Sequence, residues 1–255
     1  MPRTGWGWQV SPDELRSWIL HEDERLLVVN KPGLVVCHPS KHGPWSSLIG
    51  ACREYLGVER LHMPSRLDRE TSGVVVLAKD AQAGSLLQRA IEHRKIRKVY
   101  HAVLCGELHH AATVDAPIAK ALDSTVWMKQ AVVDGGQPAR TGFTPLSTSD
   151  GFTLARIQPH TGRMHQIRVH AASIGHPVAG DKIYGPDEQL FLEFLQHGWT
   201  PHLQAVLRFD RQMLHASEWE SMEERLPLRF HAPLPAEWQS VTCVAAAPPV
   251  PQQLA

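Results

Sequence analysis

Short apolar runs rich in Val, Ile and Leu are mixed irregularly with helical segments along this chain. Strands are predicted where such a run is bounded by turn residues, at residues 25–31, 34–37, 74–78, 96–105 and 154–158. Helices are predicted where apolar residues recur at helical spacing behind a capping residue, at residues 46–56, from Asp80 onward and at 162–174. Strands and helices do not alternate regularly, as they do around a doubly wound parallel sheet. The sequence therefore predicts an α+β fold with a mixed, largely antiparallel central sheet and flanking helices.

Length and cysteine content indicate a soluble protein of the cytoplasm. A chain of 255 residues can bury a sizeable core, and no apolar run approaches the roughly 18 residues of a membrane span. The N-terminus lacks the order of basic, apolar and small residues found in signal peptides. The cysteines have no paired spacing typical of a zinc site or a disulfide framework; they are Cys37, Cys52, Cys105 and Cys243. We therefore expect an unexported protein without membrane contact.

The charges balance overall but are segregated by region. Lys plus Arg equals Asp plus Glu, 26 each, whereas proteins that bind nucleic acid often carry a net positive charge. Near the end of the helix that starts at Asp80, basic residues outnumber the single acid, Glu92; they are Arg89, Arg94, Lys95, Arg97 and Lys98. Such a run is typical of a solvated helix end and also of a surface that binds phosphates.

Residues 65–73 form a polar stretch directly before the predicted strand 74–78. Asp68 lies there between Arg66 and Arg69. A neighbouring cation keeps a carboxylate ionised, and an ionised carboxylate can act as a nucleophile or a base. Loops held by rigid strands often carry catalytic groups, although a surface turn with an exposed ion pair has the same charge pattern. Asp68 is therefore a candidate nucleophile.

Tyr100 lies in the predicted strand 96–105, where alternation directs it to the same face as Ala102 and Leu104. A tyrosine beside a cleft can stack on a nucleobase and offer its hydroxyl for proton transfer. Most tyrosines in strands are half-buried packing residues, so both interpretations stay open.

The predicted helix 162–174 presents Arg168 beside an apolar stripe. Thr161 can cap this helix and Gly175 can close it. The stripe consists of Met164, Ile167, Ala171 and Ile174. Arg168 lies at the edge of the stripe, so we expect its guanidinium to be partly buried.

The same segment contains polar groups that suit an anionic or aromatic ligand. Arg163, Gln166 and Arg168, together with the helix N-terminus, could hold phosphates or a nucleobase. A zinc site, and with it a metal-dependent hydrolase, is the competing interpretation, because histidines recur at His160, His165 and His170. A spacing of five does not align ligands on a helix, and no acid completes an H-E-x-x-H pattern. The sequence therefore disfavours a metal site.

Five segments of the chain, taken in order, resemble the RluA family of RNA pseudouridine synthases. They are Asn30-Lys31-Pro32 with His38-Pro39; Arg66-Leu67-Asp68 with Thr71-Ser72-Gly73; Lys98, Tyr100, Ala102, Val103 and Gly106; Gly162-Arg163, residues 165–170, Gly175-His176-Pro177 and Gly180-Asp181; and Leu214-His215-Ala216 with residues 232–235. The resemblance covers residues 26–237. It implies the α+β fold of that family, with a catalytic cleft.

The resemblance also implies an activity and a site. The expected reaction is isomerisation of specific uridines in structured ribosomal or transfer RNA, with Asp68 as the nucleophile on a flipped-out uridine. Arg168 would pair with Asp68, and Tyr100 would stack on the base and take part in proton transfer. RNA, the expected partner, would also be contacted by Arg66, which fills the space left by the base, and by Lys98, Arg94, Lys95, Arg97, Arg163 and His165. Isomerisation needs no group donor and no net redox change, so no cofactor and no metal are expected.

Two departures from the family pattern bear on RNA contacts. Ser65 stands where relatives often have histidine, directly before Arg66. Only about two dozen residues precede the first matching segment, so an S4 RNA-binding domain is not expected there.

The expected organisation is an N-terminal extension at residues 1–24, a catalytic domain at 25–240 and a disordered tail at 241–255. Residues 189–207 are predicted to be a helical elaboration, and the protein is expected to be a monomer. A competing hypothesis is a catalytically silent protein that binds or folds RNA on the same scaffold. Such a protein would have no need of Asp68, Tyr100 and Arg168 together.

Overall fold

The computed structural model describes residues 9–38, 42–223 and 227–238. The predicted tail at 241–255 and Cys243 lie outside these ranges. The α-helices of the described part are Pro12–Trp18 (α1), Leu48–Leu56 (α2), Ala81–Glu92 (α3), Gln166–Ser173 (α4), Gln189–His197 (α5) and Pro201–Leu207 (α6). None of these helices has the length and apolar character that a bilayer crossing would require.

The strands of the described part are Ile19–Glu22 (β1), Leu26–Lys31 (β2), Ser72–Ala78 (β3), Ile96–Cys105 (β4), Ala112–Asp115 (β5), Ile118–Lys120 (β6), Gln130–Val132 (β7), Arg140–Ser149 (β8), Phe152–Pro159 (β9), Leu214–Ser221 (β10) and Arg229–His231 (β11). The central sheet has the order β1-β2-β3-β10-β4-β9-β8-β5, and β11 pairs with β10. Strands β6 and β7 form a separate hairpin. Among the described pairs, β3 with β10 is the parallel one. The predicted α+β class with a largely antiparallel sheet is confirmed.

Helices cover both faces of the sheet. Strands β2 and β3 are buried along almost their whole length, because alternate residues face α2 on one side and α3 on the other. The cluster on the α2 side contains Leu27, Val29, Val75, Leu77, Leu48 and Cys52. The cluster on the α3 side contains Val28, Val74, Val76, Ala83 and Leu87. Burial on two faces makes this pair a rigid support for the loop that precedes β3.

Helix α4 packs on the next part of the sheet. Tyr100, Ala102 and Leu104 share one face of β4, as the alternation predicted, and they pack with Ile167 and Ala171 of α4. This packing carries Arg168, which lies between those two helix residues, towards the loop that contains Asp68. Core packing, and not surface loops alone, therefore determines the positions of Arg168 and of the loop that contains Asp68.

The predicted strand at residues 34–37 is wrong. This segment is a turn that begins with Leu34 in the left-handed region at φ 72°. Its carbonyl groups bond to the start of α2 instead of to a strand, since the Leu48 amide donates to Val36 and the Ile49 amide to Cys37. Two of the side chains that suggested a strand, Val35 and Cys37, are buried on the α2 side of the sheet, whereas Leu34 and Val36 are partly exposed.

The helix predicted at 162–174 begins later than expected, at Gln166. His165 precedes it at φ 55°, a left-handed conformation that a helix cannot continue through. Thr161 does not cap the helix backbone; its hydroxyl donates to the Gln166 side chain, which also accepts from the Arg163 amide. Met164 is consequently half exposed and is not part of the apolar stripe.

Residues 189–207 form two helices, α5 and α6, as a helical elaboration. The Lys182 ammonium lies over the ring of Phe194 in α5 and the ring of Trp199 between the two helices, 4.8 and 5.4 Å from the ring centres. At the other end of the chain, α1 and β1 lie within the predicted extension, and β1 is an edge strand of the sheet. The domain boundary after residue 24 stays a prediction.

Candidate active site

The buried side chain of Lys31 anchors the loop that carries Asp68. The Lys31 ammonium donates to three backbone carbonyl oxygens, those of Pro32, Val35 and Arg69, at 2.9 to 3.0 Å. Its side chain is fully buried, and burial lowers the pKa of Lys31 to about 8. Within the loop, the Thr71 amide donates to the Asp68 carbonyl at 3.2 Å. The backbone from Asp68 to Thr71 is thus held by hydrogen bonds.

Gly73 brings the end of this loop close to the centre of the sheet. It lies at φ 115°, a conformation that L side chains rarely adopt, and a Cβ atom there would collide with the backbone of Ala216 in β10. Glycine therefore permits the contact between β3 and β10 directly after the Asp68 loop.

Arg168 joins two carboxylates across the site. Its Nε and Nη2 groups donate to Asp181 at 2.6 and 2.9 Å, and its Nη1 group donates to Asp68 Oδ2 at 2.9 Å. The Arg168 side chain is only 7% exposed, which is deeper than the partial burial expected from the sequence. The planar fork of an arginine can serve two partners in this way, whereas a lysine cannot.

Asp181 fixes the orientation of that guanidinium. Its carboxylate is fully buried and also accepts from the Ile183 and Tyr184 backbone amides. Burial alone would raise the pKa of Asp181, but the Arg168 charge and these hydrogen bonds hold it below its usual value. Asp181 is therefore ionised at neutral pH, and it leaves the Nη1 group of Arg168 for Asp68.

Asp68 combines a fixed position with partial access to solvent. A third of its side chain is exposed, in contrast to the enclosed Asp181. Burial would raise the pKa of Asp68, but the positive charge of Arg168 and hydrogen bonds from Arg168 and Gln212 hold it below its usual value. Asp68 is consequently an ionised carboxylate at neutral pH, with the chemical capacity to act as a nucleophile.

Tyr100 lines a small cavity beside the loop that carries Asp68. The cavity is lined by Ser65, Arg66, Leu67, Val74, Lys98, Tyr100, Ala216, Glu218 and Trp219. Burial, and then the negative charge of Asp68, raise the pKa of Tyr100, so its hydroxyl stays protonated at neutral pH. Burial lowers the pKa of Lys98 to about 8. The cavity thus presents an aromatic ring and a cation beside the carboxylate.

The other candidate RNA contacts are spread around this centre. Arg66 lies at the cavity and approaches the His38 ring at 3.3 Å. Arg94 and Lys95 are exposed in the turn between α3 and β4. Arg97 does not extend freely from that cluster, because it pairs with Glu220 of β10.

Arg163 lies on a different side of the site, in a groove of about 590 Å³ beside the β6–β7 hairpin. Its Nε group donates to the Pro138 carbonyl at 3.2 Å. Lys120, Gln130 and Gln137 also line this groove. His165 follows two residues later and points inward, with Nε2 3.9 Å from Asp68 Oδ2.

The sequence alone assigns no role to several side chains of the site. Asp181 lies in a segment that matches the family, whereas nothing in the sequence singles out Tyr184 or Gln212. Each of them reaches the site through tertiary contacts that no local periodicity reveals. For Asp181 the neighbouring Gly180 gives a signal, since a Cβ atom there would collide with the backbone of Arg211.

The histidines of the competing zinc hypothesis have separate partners. His170 contacts the Thr141 hydroxyl and the Ala116 carbonyl, whereas His165 contacts Tyr184. Within residues 9–38, 42–223 and 227–238, no group of three or more His, Cys, Asp or Glu side chains could hold a metal ion.

The chain is similar to known RNA pseudouridine synthases. The family model described as RNA pseudouridylate synthase matches residues 25–173. The "Ribosomal large subunit pseudouridine synthase D" of Yersinia pestis is 34% identical over 89% of this chain and 70% of its own length. The "Uncharacterized RNA pseudouridine synthase YjbO" of Bacillus subtilis is 36% identical over 86% of this chain and 73% of its own length.

A solved structure shares the fold as well. "Human RNA Pseudouridylate Synthase Domain Containing 4" superimposes with a TM-score of 0.68 at 27% identity, over 89% of this chain and 92% of that one. The chain therefore belongs to the RluA-type RNA pseudouridine synthases, which are isomerases that convert uridine to pseudouridine in RNA.

Proposed function

We propose that Asp68 is the nucleophile of this isomerisation and that Arg168 holds it in place. The observation that carries the proposal is the double bridge of Arg168, which binds the enclosed Asp181 and the accessible Asp68 with one guanidinium. A carboxylate with a charged donor on one oxygen is ionised, oriented and still able to react through the other. Asp181 has the same partner but is fully buried, so it serves as the anchor.

In the reaction, the bond between N1 of uracil and C1′ of the ribose breaks, and C5 of the uracil bonds to C1′. The proton on C5 leaves and N1 gains one, so substrate and product have the same composition. Tyr100 stacks on the uracil, and its protonated hydroxyl can take part in proton transfer at the sugar. These steps need the base to leave its helical stack. Arg66, at the mouth of the cavity, fills the space left by the base.

The flanking RNA lies along the cationic groups around the cavity. Lys98 binds a phosphate of the flipped nucleotide, because it lines the same cavity as Tyr100 and Arg66. Arg94 and Lys95 contact the RNA backbone on one side, and Arg163 contacts it along the groove on the other. Arg97 contributes less to binding than these residues, since Glu220 already neutralises its charge.

We propose that the substrate is a uridine in ribosomal RNA of the large subunit and that the protein acts as a cytoplasmic monomer. The proposal rests on the relatives named for that activity. A pseudouridine map of total RNA, from cells with and without the gene, tests it. We expect one or a few large-subunit sites to lose pseudouridine and to regain it when the gene is returned. Loss confined to transfer RNA, or no loss at any site, would contradict the proposed substrate.

RNA binding through Lys98 should depend on pH. Replacing Lys98 by Met is expected to weaken RNA binding about fivefold to tenfold and to reduce the salt slope of log affinity by about 1. In the unaltered protein, the Lys98 contribution is complete below its pKa of about 8 and is lost as the pH rises through that value. Tyr100 lines the same cavity, and burial together with the negative charge of Asp68 raises its pKa, so its hydroxyl stays protonated over this range. Affinity measured from pH 6.5 to 9.5 should therefore fall in the unaltered protein and stay flatter in the variant.

Lys79→Met is the matched control for this binding experiment. Its ammonium pairs with Glu22 at 2.7 Å at the far end of β3, so its removal should leave RNA affinity unchanged. Equal affinity, salt slope and pH dependence in Lys98→Met and the unaltered protein would remove Lys98 from the phosphate site.

A further inference from the structure

His165 occupies an unusual position between Tyr184 and Asp68. It precedes α4 in a left-handed conformation, which turns its ring inward so that the side chain is only 8% exposed. Its Nδ1 atom lies 2.9 Å from the Tyr184 hydroxyl, and its Nε2 atom lies 3.9 Å from Asp68 Oδ2. The resemblance suggested an RNA contact for this residue, but a buried ring between two side chains is poorly placed to bind a phosphate.

The hydrogen bonds of Tyr184 determine which nitrogen of His165 carries the proton. The Gln130 backbone amide donates to the Tyr184 oxygen at 2.8 Å. The Tyr184 hydroxyl hydrogen must then find an acceptor, and Nδ1 of His165 is the one that the described residues offer within reach. Nδ1 therefore accepts, and a neutral His165 carries its proton on Nε2. The protonated nitrogen is the one that faces Asp68.

The surroundings also keep this ring uncharged. Burial, and then the nearby positive charge of Arg168, lower the pKa of His165 well below its usual value. Asp68 and Asp181 act in the opposite direction but do not outweigh these two causes. At neutral pH the ring is consequently a neutral N–H donor and does not compete with Arg168 as a cation.

We infer that His165 is a positioning residue that, with its tautomer fixed by Tyr184, presents an Nε2–H group to Oδ2 of Asp68. The inference rests on the proposed role of Asp68. Arg168 Nη1 donates to the same oxygen at 2.9 Å, and His165 Nε2 lies 3.9 Å from it, so both nitrogens face Oδ2. The other carboxylate oxygen is left as the atom that reacts. The chain Gln130–Tyr184–His165 also links the β6–β7 hairpin to the nucleophile.

Nitrogen-15 NMR of histidine-labelled protein tests the tautomer directly. Among the 16 histidines, the His165 signals are assigned by their loss in His165→Gln. We expect an unprotonated Nδ1 and a protonated Nε2 at pH 7, and a mixture of tautomers in Tyr184→Phe. A proton on Nδ1, or a charged ring at pH 7, in the unaltered protein would overturn the inference. This measurement needs no RNA, so its outcome does not depend on the proposed substrate or nucleophile.

Steady-state kinetics of Tyr184→Phe test the consequence for catalysis. The phenyl ring keeps the packing beside the Arg168 guanidinium, 4.9 Å away, and removes only the hydroxyl. We expect kcat to fall about tenfold with KM within about twofold of the original, because a contact to Asp68 is weakened and RNA contacts are not. An unchanged kcat in a folded variant would contradict the inference.

Tyr55→Phe is the matched control for the kinetic test. It removes a tyrosine hydroxyl that bonds to Glu22 at the surface, away from the site, and should leave kcat and KM unchanged. If Tyr184→Phe does not fold, as thermal unfolding would reveal, the spectrum of the unaltered protein still decides the tautomer.

Discussion

Replacing Arg168 by Met is expected to lower the free energy of unfolding by about 3–5 kcal/mol, because it leaves the fully buried Asp181 carboxylate without its cationic partner. Two backbone amides still donate to Asp181, so the loss is that of an ion pair and not of every hydrogen bond. Urea unfolding at pH 7 measures this change. Activity should also be lost, since Asp68 loses its charged donor.

The loss of stability caused by Arg168→Met should depend on pH. The pKa of Asp181 is lowered in the folded protein, so the pair stabilises the fold fully above the ordinary pKa of an aspartate. That stabilisation is lost as the pH falls through the lowered value. The difference in stability between the two proteins should therefore be largest near neutral pH and smaller in acid.

Arg140→Met is the matched control for stability. Its guanidinium forms a long contact, 3.9 Å, with Asp115, and both side chains are more than half exposed. Removing such a surface pair changes stability by less than about 1 kcal/mol. If Arg168→Met lowered the free energy of unfolding as little as Arg140→Met does, the bridge between Asp68 and Asp181 would not be a structural anchor.

Strong local patterns allowed part of the fold to be predicted. The strand at 96–105 has the expected bounds, because its alternate residues Tyr100, Ala102 and Leu104 are buried against α4 and give the sequence a period of two. Strand β10 was not predicted, although it lies at the centre of the sheet. Polar residues interrupt its apolar pattern, and two of them are almost fully buried: His215 bonds to the Ser72 hydroxyl, and Ser217 bonds to His101. Only the paired strands make such residues acceptable in a core.

The site was predictable to the extent that short motifs carry it. Asp68 stands out between two arginines before a buried strand, and Arg168 lies on a recognisable helix. The anchor Asp181 and the Tyr184–His165 contact depend on how α4 packs, so no spacing in the sequence reveals them. The late start of α4 could not be predicted from the sequence either, because it follows from the left-handed conformation of His165.

Replacing Asp68 by Asn is expected to reduce the rate of pseudouridine formation by at least about 10⁴-fold, with the fold intact. Asparagine has nearly the same shape, and the backbone bond from the Thr71 amide to residue 68 is retained. The neutral amide lacks the negative charge that the proposed nucleophile requires. RNA affinity should change little, because the flanking cations are unaltered.

Asp13→Asn is the matched control for this comparison. It makes the same chemical change at a side chain that is 94% exposed in the first turn of α1. Its rate of pseudouridine formation should equal that of the unaltered protein. A loss of rate in this control would indicate damage unrelated to the nucleophile.

The role of Asp68 is tested most directly by single-turnover conversion of large-subunit RNA, with enzyme in excess, measured as release of tritium from C5 of labelled uridine. Release accompanies the bond between C5 and C1′, so it reports the isomerisation itself. We predict rapid release with the unaltered protein and with Asp13→Asn, and none above background with Asp68→Asn that still binds the RNA. Release by Asp68→Asn at a rate near that of the unaltered protein would contradict the assignment of Asp68 as the nucleophile.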